Sequence, residues 1–276
     1  MTAIIVADSC SELNEDLEKR IDLRRVAFPI TLEGHSFLDD GSMDIPSFIK
    51  EIARASEIPK TGGPSPQSFI DAIGDAQEGF IVTISSKLSG TYSNACMAVR
   101  QLEEEEGNRR FHVFDSQSAS VGESRICWKL GGWLEEGLSF EEIVQKGEAY
   151  ISQGSTYFVL DDLSSMIKSG RIPKYAGKVA SKLSIHPICK GVEGEVKVAK
   201  IKRGMNSALQ ALAELVREEI AQKEEKRLWI CHINRPDRAD YFCSLVGQDT
   251  GAEIHVVEGT GLSTVYANDG GIIIAF

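Results

Sequence analysis

Short apolar runs rich in β-branched residues alternate along this chain with longer stretches whose apolar positions recur at helical spacing, and the alternation predicts the order of elements. Residues 3–7 form the first run, closed by Asp8 and Ser9, and the polar stretch 12–20 behind it is predicted helical. Residues 25–32 read as a second strand, 46–55 as a helix, and Ser65-Pro66 as a helix start with a hydroxyl N-cap and proline in the first turn. A buried strand over 79–84 leads into the small-residue loop SSKLSGTYSNA and a helix running into the acidic tract 103–106, most simply a solvated helix end. A strand at 111–114, a long helix near 121–136, and Ser139 with Glu142 at capping-box spacing continue the series. Repeated strand-helix units with apolar strands predict a mostly parallel sheet covered on both faces.

The pattern changes after about Gly154. STYFVLD reads as a strand, followed by a polar segment carrying Lys168, Arg171, Lys174 and Lys178. Residues 185–189 and 196–201 flank a turn-rich 191–194 and predict an antiparallel pair; 205–222 form a long amphipathic helix with Leu209, Leu212, Ala213 and Val216 on one face. Strand 228–233, helix 238–246 and strands 253–257 and 272–276 complete a mixed unit. The expectation is an α/β protein of two domains, 1–155 and 156–276, packed closely with a cleft between them.

Composition narrows the function. With 42% apolar and 26% charged residues the chain has material for a real core. Lys plus Arg is 30 against 41 for Asp plus Glu, a net charge of −11 that repels polyphosphate and argues against nucleic-acid binding. The six cysteines are widely spread with no C-x-x-C, the expectation being reduced thiols in a cytoplasmic protein. No apolar stretch reaches the length of a membrane span, and the five histidines stand apart, so neither a membrane span nor a metal site is expected.

Candidate chemistry gathers in two loops. After the strand at 79–84 come Ser86, Ser89 and Thr91 with Gly90 among them, directly before a helix; hydroxyls and amides there make an anion site, or else Ser89 and Thr91 simply cap the helix. The second loop, Lys60-Thr61-Gly62-Gly63-Pro64-Ser65, also precedes a helix, and the two could meet at one sheet edge to hold a carboxylate or phosphate. Neither matches a nucleotide-binding fingerprint, and G-x-S-x-G is absent around Ser89.

Taken together, ADSCSEL, the Thr-x-x-Pro-Ser loop at 61–65, SSKLSGTYSNA, FDSQSASVGE, MIKSGRI and the glycine-containing C-terminal segment ending IIIAF stand in the order and spacing of the DegV family, which this chain resembles over essentially its whole length. The resemblance implies a two-domain α/β fold, a mostly parallel N-terminal domain and a mixed-sheet C-terminal domain, holding one long-chain fatty acid with its tail in the apolar interior. It implies no cofactor and no catalytic residue. Some family members serve as the acyl-carrying subunit of bacterial fatty acid kinase and present the carboxylate to a separate ATP-using partner. Carried onto this sequence, the resemblance places the carboxylate at Thr61, at Ser89 and Gly90, and at groups near the C-terminus. Joined with the two loops read above, the candidate ligand-binding residues are Thr61, Gly62, Ser65, Ser86, Ser89, Gly90, Thr91, Arg171 and Tyr266. Arg171, Lys202 and Arg203 match basic positions linked to the head-group end or to kinase docking, Lys202 and Arg203 being otherwise a solvated surface cluster.

Two departures stand out. Gly62 replaces a serine of the family loop, and Tyr266-Ala267-Asn268-Asp269-Gly270 replaces His-Thr-Gly-Pro-Gly. The site thereby loses a cationic neighbour, Tyr266 retains one hydrogen bond, and Asp269 adds repulsion if it points inward. Three readings stay open at this point: a fatty acid carrier, an acyl hydrolase or phosphotransfer enzyme using Ser89, and a lipid-responsive regulatory protein.

Overall fold

A computed structural model describes residues 3–13, 18–19, 21, 23–105, 107–172 and 184–276. Most of the predicted helix 12–20, together with Lys174 and Lys178, lies outside them. A four-stranded parallel sheet has the order β2-β1-β6-β7, from β1 (Ile4–Asp8), β2 (Leu23–Val26), β6 (Glu78–Thr83) and β7 (Arg110–Asp115). Its inner strands are apolar on both faces because both are covered. On one side α2 (Pro66–Ile73) and α3 (Thr91–Glu105) pack Phe69, Ile73, Ala98 and Leu102 against Val6 and Ile81. On the other lie α4 (Val121–Glu135) and α5 (Phe140–Ser152), the latter opened by the Ser139/Glu142 capping box.

The predicted strand 25–32 is two strands in two sheets. β2 ends at Val26, and β3 (Pro29–Leu32) belongs to a small antiparallel sheet of order β4-β3-β5, with β4 (His35–Leu38) and β5 (Lys60–Thr61). Pro29 has no amide hydrogen for the β1 ladder, which stops before it. The helix α1 (Ile45–Arg54) follows, and Phe48 packs beside Ile30 and Leu32.

The second half builds a six-stranded mixed sheet, β10-β9-β8-β13-β11-β12, from β8 (Thr156–Val159), β9 (Ile185–Val192), β10 (Glu195–Arg203), β11 (Arg227–His232), β12 (Glu253–Glu258) and β13 (Ile272–Ala275). The predicted pair is β9 and β10, antiparallel with a shift between Val198 and Lys200. One face is covered by α7 (Met205–Ile220) and α8 (Pro236–Thr250); α6 (Ser164–Lys168) and α9 (Gly261–Ala267) are short. The other face packs on α4, which lies between the two large sheets and contacts β1 and β6 on one side and β11 and β13 on the other. That position explains why even its first-turn Glu123 is buried. Ile126, Leu130 and Trp133 of α4 are buried in this packing. No helix among the described residues is long and apolar enough to cross a membrane.

Candidate functional site

A cavity of about 180 Å³ lies where the C-terminal end of the parallel sheet meets the small sheet, α9 and the mixed sheet. Period-two alternation along β8 and the residue after it brings Thr156, Phe158 and Leu160 to its wall in sequence, while Phe28, Ile84 and Leu262 add apolar surface. Three further clefts among the described residues are lined mainly by charged or polar residues.

The polar end is made by both candidate loops. Thr61 Oγ1, on β5, lies 2.7 Å from the Tyr266 hydroxyl on α9. Ser89 Oγ lies 2.8 Å from Thr91 Oγ1 and 3.4 Å from the Thr91 amide, neither of which is a general base. The loops are clamped together: Asn94 Nδ2 donates to Pro64 O at 2.8 Å, and Gly63 is so close that a Cβ there would sit 2.9 Å from Thr91 Oγ1. Around Gly90, by contrast, no atom comes within 4 Å of the place a Cβ would take. Arg171 is held by Leu88 O at 3.3 Å and Ser169 O at 2.7 Å, with its guanidinium 5.7 Å from the Tyr266 ring centre. This collection of O–H and N–H donors beside a guanidinium suits an anion.

Of the residues singled out by sequence, Thr61, Ser89, Gly90, Arg171 and Tyr266 line this cavity. Gly62, Ser65, Ser86 and Thr91 do not. Gly62 donates its amide to Pro29 O at 3.2 Å as an extension of β5, and Ser65 caps α2 by accepting from the Ser68 amide at 3.1 Å. Ser86 donates its amide to Asp115 at 3.1 Å, and the Thr91 hydroxyl is spent on Ser89. Lys202 and Arg203 sit at the end of the outermost strand β10, away from the cavity wall. Asp269 is exposed and accepts from Asn234 Nδ2 at 3.1 Å, so it does not face the anion end.

Sequence reasoning missed a group of buried acids under the cavity floor. Asp8 accepts amides from Cys10 at 3.0 Å and Ile84 at 2.8 Å, yet burial still pushes its pKa up to about 6. Glu123 is raised well above the ordinary carboxylate range by burial and by the Asp8 charge, which favours its protonated form. Ligand atoms of Asp8, Cys10 and Glu123 all lie within 4.8 Å of one another. Burial also raises Glu12 and Asp39, although both are hydrogen-bonded. The only signal was ADSCSEL as a motif; in Leu38-Asp39-Asp40-Gly41 nothing distinguishes the buried aspartate from its exposed neighbour.

The geometry has close counterparts. A DegV-family crystal structure from Ruminococcus gnavus, refined with vaccenic acid, is 35% identical, covers all of both chains and superposes with a TM-score of 0.94. A DegV-family protein from Eubacterium eligens loaded with heptadecanoic acid is 29% identical at a TM-score of 0.92, over 99% of this chain and 98% of its own. The Streptococcus pneumoniae fatty acid kinase (Fak) B3 protein loaded with linoleic acid is 27% identical at 0.91, over 100% and 99%. Among curated proteins, a DegV domain-containing protein of Streptococcus pyogenes serotype M1 is 30% identical over 280 residues, 100% of this chain and 99% of its own. The model of the DegV family of uncharacterised proteins matches residues 2–276, so this chain belongs to the DegV family.

Proposed function

We propose that this protein is a cytoplasmic carrier of one long-chain fatty acid. The carboxylate is held by Thr61, Ser89, the Gly90 amide, Arg171 and Tyr266, and the tail runs along Leu160, Phe158 and the facing apolar wall. The observation that carries the reading is one cavity, apolar along β8 and closed at one end by that donor cluster. The energetics fit a lipid: at about 0.8 kcal/mol per buried CH₂, a long tail contributes on the order of 10 kcal/mol before ordering costs, against roughly 1–3 kcal/mol for each charged head-group hydrogen bond. The head group therefore sets orientation and the tail supplies most of the affinity.

In this reading the lobes 1–155 and 156–276 enclose the ligand, no cofactor takes part, and the protein presents the carboxylate to the catalytic subunit of a fatty acid kinase through a surface that includes Lys202 and Arg203. The likeness to the Streptococcus pneumoniae kinase B3 protein supports that partner. A carrier is preferred to an acyl hydrolase because the hydrogen-bond partners of Ser89 Oγ are Thr91 groups that take up no proton. Mass spectrometry of an organic extract, with native mass spectrometry to count ligands, tests the proposal: one fatty acid per chain is expected. An empty protein that takes up no added fatty acid overturns it. With Ser89→Ala, changed ligand retention and no turnover in either protein is expected; ester hydrolysis by the wild type that the variant loses would instead establish the enzyme.

A further inference from the structure

The helix α9 has seven residues, too few to hold its place by its own hydrogen bonds, and no side chain of its own caps it. Its first amides are instead received by carboxylates from distant segments. Asp39, only 1% exposed, accepts the Gly261 amide on Oδ1 at 2.7 Å and the Leu262 amide on Oδ2 at 3.0 Å. Its Oδ2 also accepts the hydroxyls of Ser9 at 3.0 Å and Thr260 at 3.1 Å. Glu12 takes the Thr260 amide at 3.1 Å and the Ser120 hydroxyl. The helix so anchored supplies Leu262, Ser263, Tyr266 and Ala267 to the cavity wall.

Asp39 follows β4 and donates its own amide to Phe28 O at 3.0 Å. β4 pairs with β3, and β3 pairs with β5, where Ile30 stands opposite Thr61. A continuous hydrogen-bonded path therefore runs from Thr61 through the small sheet to Asp39, and from Asp39 into the helix that carries Tyr266. We infer that Asp39 is a positioning residue for the anion end of the cavity: its carboxylate, bonded to two successive amides, sets α9 at the height where the Tyr266 hydroxyl meets Thr61 Oγ1. The inference rests on the fatty acid reading of the site. A carboxylate is needed because both oxygens must accept; an asparagine would turn an NH₂ toward one of the two amides.

The test compares wild type, Asp39→Asn, Tyr266→Phe and the double variant in binding palmitic acid and hexadecanol, which share a tail and differ in charge. Asp39→Asn is expected to weaken palmitic acid about tenfold and hexadecanol less than about twofold. Added to Tyr266→Phe, it is expected to weaken palmitic acid by no more than about a further twofold, because both act on one contact. Equal weakening of acid and alcohol, or full multiplication of the two effects, overturns the proposal. Hydrogen exchange on the ligand-free proteins gives a second reading: faster exchange at Gly261 and Leu262 in Asp39→Asn, with β1 and β6 unchanged, is expected, and unchanged exchange at those amides overturns it. Should wild type bind neither ligand, the carrier reading fails while exchange still decides whether Asp39 holds α9.

Discussion

Thr61 Oγ1 and the Tyr266 hydroxyl lie 2.7 Å apart although 205 positions separate them in the chain. The first stands on a two-residue strand and the second on a seven-residue helix, elements too short to be stable alone. Each is fixed by what it pairs with, β5 by β3 and α9 by the buried carboxylates of Asp39 and Glu12. The polar end of the cavity is thus assembled by tertiary contacts.

Removing one hydroxyl from that pair should be felt at the head group and hardly in the fold. Tyr266→Phe is expected to weaken fatty acid binding by about 1 kcal/mol, roughly fivefold, with little change in melting temperature. Isothermal titration with one fatty acid checks the first expectation and thermal unfolding the second. Tyr266→His should give binding that strengthens as pH falls through the range near 6.5 where imidazole gains its charge, whereas wild type should stay flat there.

Affinity should follow tail length. Each CH₂ removed from a saturated acid is expected to cost about 0.8 kcal/mol as long as the chain still reaches the wall formed by Phe158 and Leu160. A series of acids from short to long, measured at one pH, should give a straight line that breaks where the chain outgrows the cavity. A flat series would mean that the cavity is not the tail site.

Gly63→Ala forces a Cβ to within 2.9 Å of Thr91 Oγ1 and 3.2 Å of the Thr91 amide, where backbone cannot yield cheaply. The expected cost is about 1–3 kcal/mol in denaturant unfolding, with a matching loss of head-group affinity as the two loops separate. Gly90→Ala has free space around it and should leave stability nearly unchanged.

Burial of Asp8 and Glu123 predicts a stability that declines as pH rises. Asp8 moves from 3.8 to about 6, so the folded state holds its proton more tightly than the unfolded chain. Its stabilising protonated form is fully present below pH 3.8 and is lost across the window up to about 6, a change of about 3 kcal/mol. Glu123, also raised, extends the decline to higher pH. Glu123→Gln cannot ionise, so its melting temperature relative to wild type should rise with pH above 4.5; a constant difference would show that Glu123 does not titrate in this way.

Much of the architecture was legible because it rests on local pattern. Strand β1 is apolar throughout since it is covered on both faces, and Ser65-Pro66 and Ser139 with Glu142 cap helices through contacts three residues long. Composition and motif order were enough for the family and for five residues of the cavity's polar end. Hydroxyl-rich loops were readable as candidates, but whether a given hydroxyl faces the cavity was not: Ser65 and Ser89 look alike in sequence, and one caps a helix in solvent while the other meets the cavity.

What the sequence by itself determined is therefore the order of elements, the two kinds of sheet and the hydroxyl-rich composition of the two loops at 60–65 and 85–91, because each depends on residues near one another in the chain. What only the tertiary structure decided is the break at Pro29 between two sheets, the placement of α4 between them, and the meeting of Thr61, Tyr266 and Asp39. Those depend on which partners desolvate a side chain and satisfy its hydrogen bonds. Asp39 and Asp40 differ in nothing but that: one is buried against the amides of α9, and the other is left to Ser42 and solvent.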